Sequence, residues 1–118
     1  MFFIMAYNED AWNELVLKVS KHFKVTADFD FILFAIGIQE RGTGFAKYTR
    51  EEKWDMINLA KCRLFTRLGY LRETGHDAEN WPLFEEVKKM RSLTPSLHKR
   101  VLKEAMIDYF ETAWSEFE

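Results

Sequence analysis

Two charged residues, Glu40 and Lys61, fall among apolar side chains when the surrounding segments are placed on a helix at about 100° per residue. Lys61 projects with the apolar residues of segment 54–68, and Glu40 projects with those of segment 29–36. Because a charge in such surroundings needs a partner, we expect Glu40 and Lys61 to form an ion pair or to bind backbone groups at helix ends. Such pairs occur in active sites. They also occur as structural contacts, which is the favoured interpretation here, and a lysine stem can extend along an apolar surface to water.

A polar stretch near the middle of the chain contains His76, Asp77 and Glu79, directly before Trp81 and Pro82. These three side chains could bind a metal ion, or His76 could act as a general base oriented by a neighbouring acid. The alternative, which the spacing favours, is a capped connection: the acids precede the positive end of a helix that starts at Pro82, and Trp81 covers the core.

Basic residues are concentrated in the segment 88–103, which could bind a phosphate or an acidic partner. They are Lys88, Lys89, Arg91, Lys99, Arg100 and Lys103. Aromatic residues are not interleaved with them, and the whole chain has a formal net charge of −2, so a nucleic-acid module is disfavoured.

The single cysteine, Cys62, rules out an internal disulfide and favours a reducing compartment, the cytoplasm. Cys62 falls on the polar side of its predicted helix, and no histidine is placed in the sequence to activate it. We therefore do not predict a nucleophilic role for Cys62, and no cofactor or metal site is predicted.

With 118 residues, of which 47% are hydrophobic, the chain can form one domain with a real core, over residues 1–118. Its first seven residues, MFFIMAY, are apolar but too short for a membrane span, and they lack the positive start of a signal peptide. We expect them to form an arm that packs on the body of the protein or on a second copy, and no membrane association is predicted.

The elements that must position these residues are helices, because apolar residues recur at 3.6-residue spacing along most of the chain. The predicted helices cover about 8–23, 28–41, 49–69, a short segment from Pro82 that turns Leu83, Val87 and Met90 inward, and about 95–117. The helix boundaries are predicted from Gly42 as a C-cap, the capping box Thr49 with Glu52, and Thr94 before Pro95.

The second predicted helix, residues 28–41, is apolar nearly all round, which is typical of a helix covered on several sides. Residues 70–74 are the only weak candidate for a strand. The sequence therefore predicts an all-α, single-domain bundle of about five helices around the central helix 28–41.

Two segments, FILFAIGIQERGTGFAKYTREEK and GYLRETGHDAENWP, resemble a small all-helical protein family of Bacteroidota-type bacteria. The shared pattern falls on Ile36, Gly37, Gln39, Glu40, Gly42, Gly44, Phe45, Gly69, Tyr70, Gly75, Asp77, Trp81 and Pro82. The resemblance implies a helical fold and no particular activity, and it marks Gln39, Glu40 and Asp77 as a group to test. The glycine loop before YTREEK is also similar to that of TerB-like helical bundles, whose acidic metal-binding pattern is replaced here by Glu40 and Arg41.

The favoured function is a small cytoplasmic interaction or structural protein that self-associates as a dimer, a role that requires no enzymatic activity. Apolar residues at a chain terminus need a surface to cover them, and a symmetric dimer supplies one. The candidate interface is Phe2, Phe3 and Ile4.

Two other function classes remain open. The first is a protein or enzyme that binds a small ligand or metal in a polar cluster of Gln39, Glu40, Lys61, His76 and Asp77. The second is a regulator that binds nucleic acid or an acidic partner through the basic segment.

Overall fold

The computed structural model describes residues 9–44, 46–89 and 94–114. In these ranges the chain forms four helices and two strands. They are α1 (Glu9–Phe23), α2 (Phe29–Arg41), α3 (Arg50–Arg67), β1 (Leu71–His76), β2 (Pro82–Glu86) and α4 (Pro95–Ala113). The predicted apolar arm, with Phe2, Phe3 and Ile4, lies outside the described residues.

The helix boundaries follow the polar caps in the sequence. Thr49 and Glu52 form the predicted capping box at the start of α3, and the Thr94 side chain accepts the Leu97 N–H at the start of α4. Gly42 adopts a left-handed conformation after α2, and its N–H donates to the Ile38 carbonyl. Four of the predicted helices are thus confirmed, with α4 described as far as Ala113.

Helix α2 is buried along most of its length, in agreement with its nearly all-round apolar sequence. Its buried residues are Ile32, Leu33, Ala35, Ile36, Gly37 and Ile38. Three of them, Ile32, Leu33 and Ile36, belong to one apolar cluster that contains residues of all four helices. Its other members include Val19 of α1, Leu64 of α3 and Met106 of α4. Helices α2 and α3 approach each other closely at Gly37, where a Cβ would lie 2.0 Å from the Met56 carbonyl oxygen.

The predicted fifth helix after Pro82 is wrong, because this segment is the second strand of an antiparallel hairpin. Proline is tolerated at the start of a strand as well as in the first turn of a helix. Leu83 and Val87, expected to face inward, are 45% and 54% exposed. Met90 lies outside the described residues. The fold is mostly helical, with a small two-stranded sheet in place of the fifth helix.

The hairpin lies against α3 through β1, and its strands alternate between half-buried and exposed residues. Glu73 and Phe84 are opposite each other in the register, as are Arg72 and Glu85. The register shifts between Glu73 and Gly75, where Gly75 has a φ of 155° that side chains rarely adopt. The strand signal at residues 70–74 is weak because the half-buried side of β1 carries the charged Glu73 as well as Leu71.

Candidate functional site

A chain of polar contacts centred on Arg63 connects three helices to the hairpin. The Arg63 Nη1 donates to Glu73 Oε1 at 2.8 Å, and its Nε lies 2.7 Å from Glu40 Oε1. The Nε contact is an ion pair whose angle departs from hydrogen-bond geometry. On the other side of Glu40, the Tyr109 hydroxyl donates to Oε2 at 2.9 Å. His76 Nε2 lies 3.4 Å from Glu73 Oε2 and ends the chain of contacts.

These side chains meet because each lies at an end or edge of its element. Glu40 is in the last turn of α2, Arg63 is in the C-terminal half of α3, and Glu73 is on the half-buried side of β1. The Arg63 and Glu40 side chains are each 23% exposed, so water screens the pair less than it screens a surface pair. One guanidinium therefore compensates two carboxylates, which would otherwise repel each other.

The structure does not form the predicted pair between Glu40 and Lys61. The buried face of α3 carries Met56, Ile57, Leu59, Ala60, Leu64 and Phe65, so it is rotated from the predicted stripe, whose Trp54 and Leu68 are exposed. Lys61 is half-buried at the border of this face, and Arg63 takes the position opposite Glu40. Gln39, beside Glu40, is half-buried.

Asp77 organises the loop between the strands. Its Oδ1 accepts the N–H groups of Glu79 and Trp81, both at 2.9 Å, and its own N–H donates to the Trp81 carbonyl. Asn80 has a φ of 66°, a conformation that asparagine tolerates better than most residues. The loop is therefore a hairpin turn held by an aspartate. This stretch is a connection, but the predicted reason is wrong, because no helix starts at Pro82 for the acids to precede.

Arg41, at the end of α2, binds this loop from outside. Its guanidinium donates to the carbonyls of Asn80 and Glu79 at 2.6 and 3.0 Å, and it lies 4.2 Å from the centre of the Trp81 ring. The hairpin loop thus reaches the end of α2 next to Glu40, but through Arg41 rather than through Asp77 or His76. Among the described residues, no group of three His, Cys, Asp or Glu side chains is placed to hold a metal ion.

The basic segment is divided between the hairpin exit and α4. Lys88, Lys99 and Lys103 each place the ammonium group about 5 Å from an aromatic ring, those of Tyr70, Phe29 and Trp12 respectively. Arg91 lies outside the described residues. These three lysines therefore cover apolar surface of their own chain.

A groove between α3 and the hairpin was not predicted as a site. Four residues of α3, Asp55, Asn58, Leu59 and Cys62, face Glu79, Trp81, Pro82 and Phe84 across a volume of about 330 Å³. Burial raises the pKa of the Cys62 thiol above its ordinary value, and the charge of Arg63 partly opposes this shift. The spacing of Asp55, Asn58 and Cys62, three and four residues apart, is the signal in the sequence that could have indicated a shared polar face.

Comparisons with protein-family models, curated proteins and solved structures found no match to this chain. The resemblances to a Bacteroidota-type family and to TerB-like bundles therefore stay predictions. None of the helices in the described ranges is both long enough and apolar enough to cross a membrane. Fold and site together define a small helical protein in which a polar network holds a β-hairpin against the helices.

Proposed function

We propose that this protein is a small cytoplasmic interaction module that self-associates as a dimer. The observation that carries the proposal is the exposure of Leu83 and Val87, at 45% and 54%, on a hairpin that Arg63 and Arg41 hold in place. Val87 lies beside the base of the hairpin, since its N–H donates to the Tyr70 carbonyl. A fixed hairpin that presents apolar side chains suits protein association better than catalysis.

The polar network supports a structural role for Glu40 and His76, two members of the candidate ligand-binding cluster. Glu40 and Glu73 are paired with Arg63, and His76 contacts only the already paired Glu73 among the contacts described above. Their charges stabilise the attachment of the hairpin, which leaves neither carboxylate free to act as a general base. The ligand-binding alternative therefore finds no support in this cluster.

A second copy of the chain is the proposed partner. Two hairpins related by a two-fold axis would bring each exposed Leu83 or Val87 against the same surface of the partner, as an isologous interface requires. The open strands of the hairpin add backbone groups that a neighbouring strand can bind. The apolar sequence at residues 1–7 offers a second surface for the same association. The single, free cysteine supports a cytoplasmic location.

The test is the mass of the native protein measured by light scattering over a range of concentrations. We expect a species of twice 14.1 kDa in the wild type, and a shift toward the monomer in Leu83→Ser with Val87→Ser. A matched control replaces Leu17 and Leu97, which are as exposed but lie on α1 and α4, by serine and should leave the dimer intact. Deletion of residues 1–6 measures the contribution of the arm separately.

A wild type that stays at 14.1 kDa at all concentrations contradicts self-association. A dimer that withstands both the hairpin variant and the deletion removes these two surfaces as the interface.

A further inference from the structure

The groove between α3 and the hairpin has two walls, one from each of these elements. Asp55, Asn58, Leu59 and Cys62 recur at positions i, i+3, i+4 and i+7, so they form one face of α3. The hairpin provides the opposite wall. The volume of about 330 Å³ lies at the lower end of the range for small-ligand pockets.

The carboxylates of this groove differ from those of the Arg63 network in having no partner. In the described part of the chain, the side chains of Asp55, Asn58 and Glu79 make no hydrogen bond or ion pair. Glu79 contributes only backbone groups to the loop, its N–H to Asp77 and its carbonyl to Arg41. The described lining of the groove therefore includes two acids that have no ion-pair partner, and neither lysine nor arginine is among its lining residues.

The aromatic walls already contact cations of this chain. The Arg41 guanidinium lies 4.2 Å from the centre of the Trp81 ring, and that of Arg63 lies 5.3 Å from the centre of Phe84. Both rings are thus oriented with a face toward a guanidinium, the arrangement in which ring quadrupole and cation attract each other. Leu59 and Pro82 add apolar surface for the stem of a ligand.

We propose that this groove binds an organic cation, an ammonium or guanidinium group on a short apolar stem. Asp55 and Glu79 supply the counter-charge, Asn58 supplies a carbonyl acceptor, and Trp81 and Phe84 enclose the stem. Two sources can present this chemistry, a free alkylamine and a lysine or arginine side chain of a peptide. The site does not depend on self-association, because all its residues belong to one copy.

The experiment titrates the full chain with n-butylammonium and n-butylguanidinium chloride, and with 1-pentanol as a neutral ligand of similar size. Heteronuclear NMR follows the Trp81 indole N–H and the Asn58 side-chain amide. The rate of Cys62 alkylation by iodoacetamide is a second readout, since Cys62 is the single cysteine and lines the groove. We expect saturable shifts and slower alkylation with either cation, and neither effect with 1-pentanol.

Charge-removing variants test the assignment of the acids. Asp55→Asn and Glu79→Gln keep the size of each side chain, and each should weaken binding about threefold, as expected for an exposed ionic contact. Glu14→Gln is the matched control, because Glu14 is an exposed acid on α1, away from this groove. Added sodium chloride should weaken the binding further by screening.

Two peptides, acetyl-Gly-Lys-Gly-amide and acetyl-Gly-Arg-Gly-amide, distinguish a basic side chain of a protein from a free alkylamine as the ligand. A peptide with norleucine in place of the basic residue is the control. Tighter binding of the basic peptides than of the free amines assigns the site to a protein partner, and the reverse assigns it to a small amine. Equal effects of 1-pentanol and the cations, binding unchanged by both acid variants, or preference for calcium or magnesium chloride would each overturn the proposal.

Discussion

Gly37 of α2 lies directly against the backbone of Met56 in α3. A Cβ at Gly37 would be 2.0 Å from the Met56 carbonyl oxygen and 2.6 Å from its carbon. Neither atom belongs to a side chain that could rotate away, so any residue other than glycine must separate the two helices. This contact explains why a glycine, which lowers helix stability, occurs in the middle of the most buried helix.

Replacement of Gly37 by alanine should destabilise the protein strongly. Separating two packed helices loses contacts along the whole interface, and we expect the free energy of unfolding to fall by about 3 kcal/mol. Urea denaturation followed by circular dichroism measures it. Gly42→Ala is the control, since Gly42 has a φ of 75° but open space around it, and should cost only about 1 kcal/mol. Equal costs would contradict the close contact.

The substitution Arg63→Met should destabilise the attachment of the hairpin more than Arg72→Met, the equivalent change at an exposed ion pair. The variant leaves the Glu40 and Glu73 carboxylates partly buried without their cation, and we expect a loss of about 2 kcal/mol in the free energy of unfolding. Faster amide hydrogen exchange in β1 should accompany this loss. Arg72→Met is the control, because the Arg72 side chain is 67% exposed, and its ion pair with Glu85 should contribute less than about 1 kcal/mol.

A second substitution separates charge from packing in the same network. Adding Glu40→Gln to Arg63→Met removes one of the two uncompensated charges, so the double variant should be more stable than the sum of the single changes predicts. Strict additivity would mean that Arg63 acts through its packing on Phe84 alone.

The helical part of the fold was predictable because its signals are local. The capping box at Thr49, the C-cap at Gly42 and the Thr94 cap each depend on residues within one or two helical turns, and the structure confirms all three. The nearly continuous apolar sequence of α2 likewise predicts the burial of this helix without information from distant segments.

The hairpin was not predictable on the same basis, because its stability comes from contacts distant in sequence. The sequence of segment 82–86 is compatible with the first turn of a helix and with a strand. The attachment of the loop to Arg41 and of Glu73 to Arg63 favours the strand. The predicted ion pair between Glu40 and Lys61 was wrong for a related reason. Glu40 has an ion-pair partner, but this partner is Arg63 rather than Lys61. The two side chains leave α3 in directions about 200° apart, and spacing along α3 alone does not determine which of them faces the end of α2.

Cys62 should react slowly with alkylating reagents, with a pH midpoint above that of an unperturbed thiol. Burial, the larger cause, raises the pKa of Cys62, and the neighbouring Arg63 lowers it. The rate of iodoacetamide modification, measured from pH about 7 to about 10.5, should therefore show a midpoint above that of a cysteine in an unstructured peptide. In Arg63→Met the midpoint should move further upward, whereas Arg72→Met should leave it unchanged.

The same shift links Cys62 to the stability of the fold. Because the folded state favours the protonated thiol, its contribution to stability is fully present below the pKa of the unfolded chain and is lost as pH rises through the higher pKa of the folded state. Between pH about 8 and about 10, the wild type should lose more free energy of unfolding than Cys62→Ala, which has no thiol to ionise. The difference between the two proteins cancels the titration of lysines and tyrosines, and parallel curves would show that the thiol is as solvated in the folded protein as in the unfolded chain.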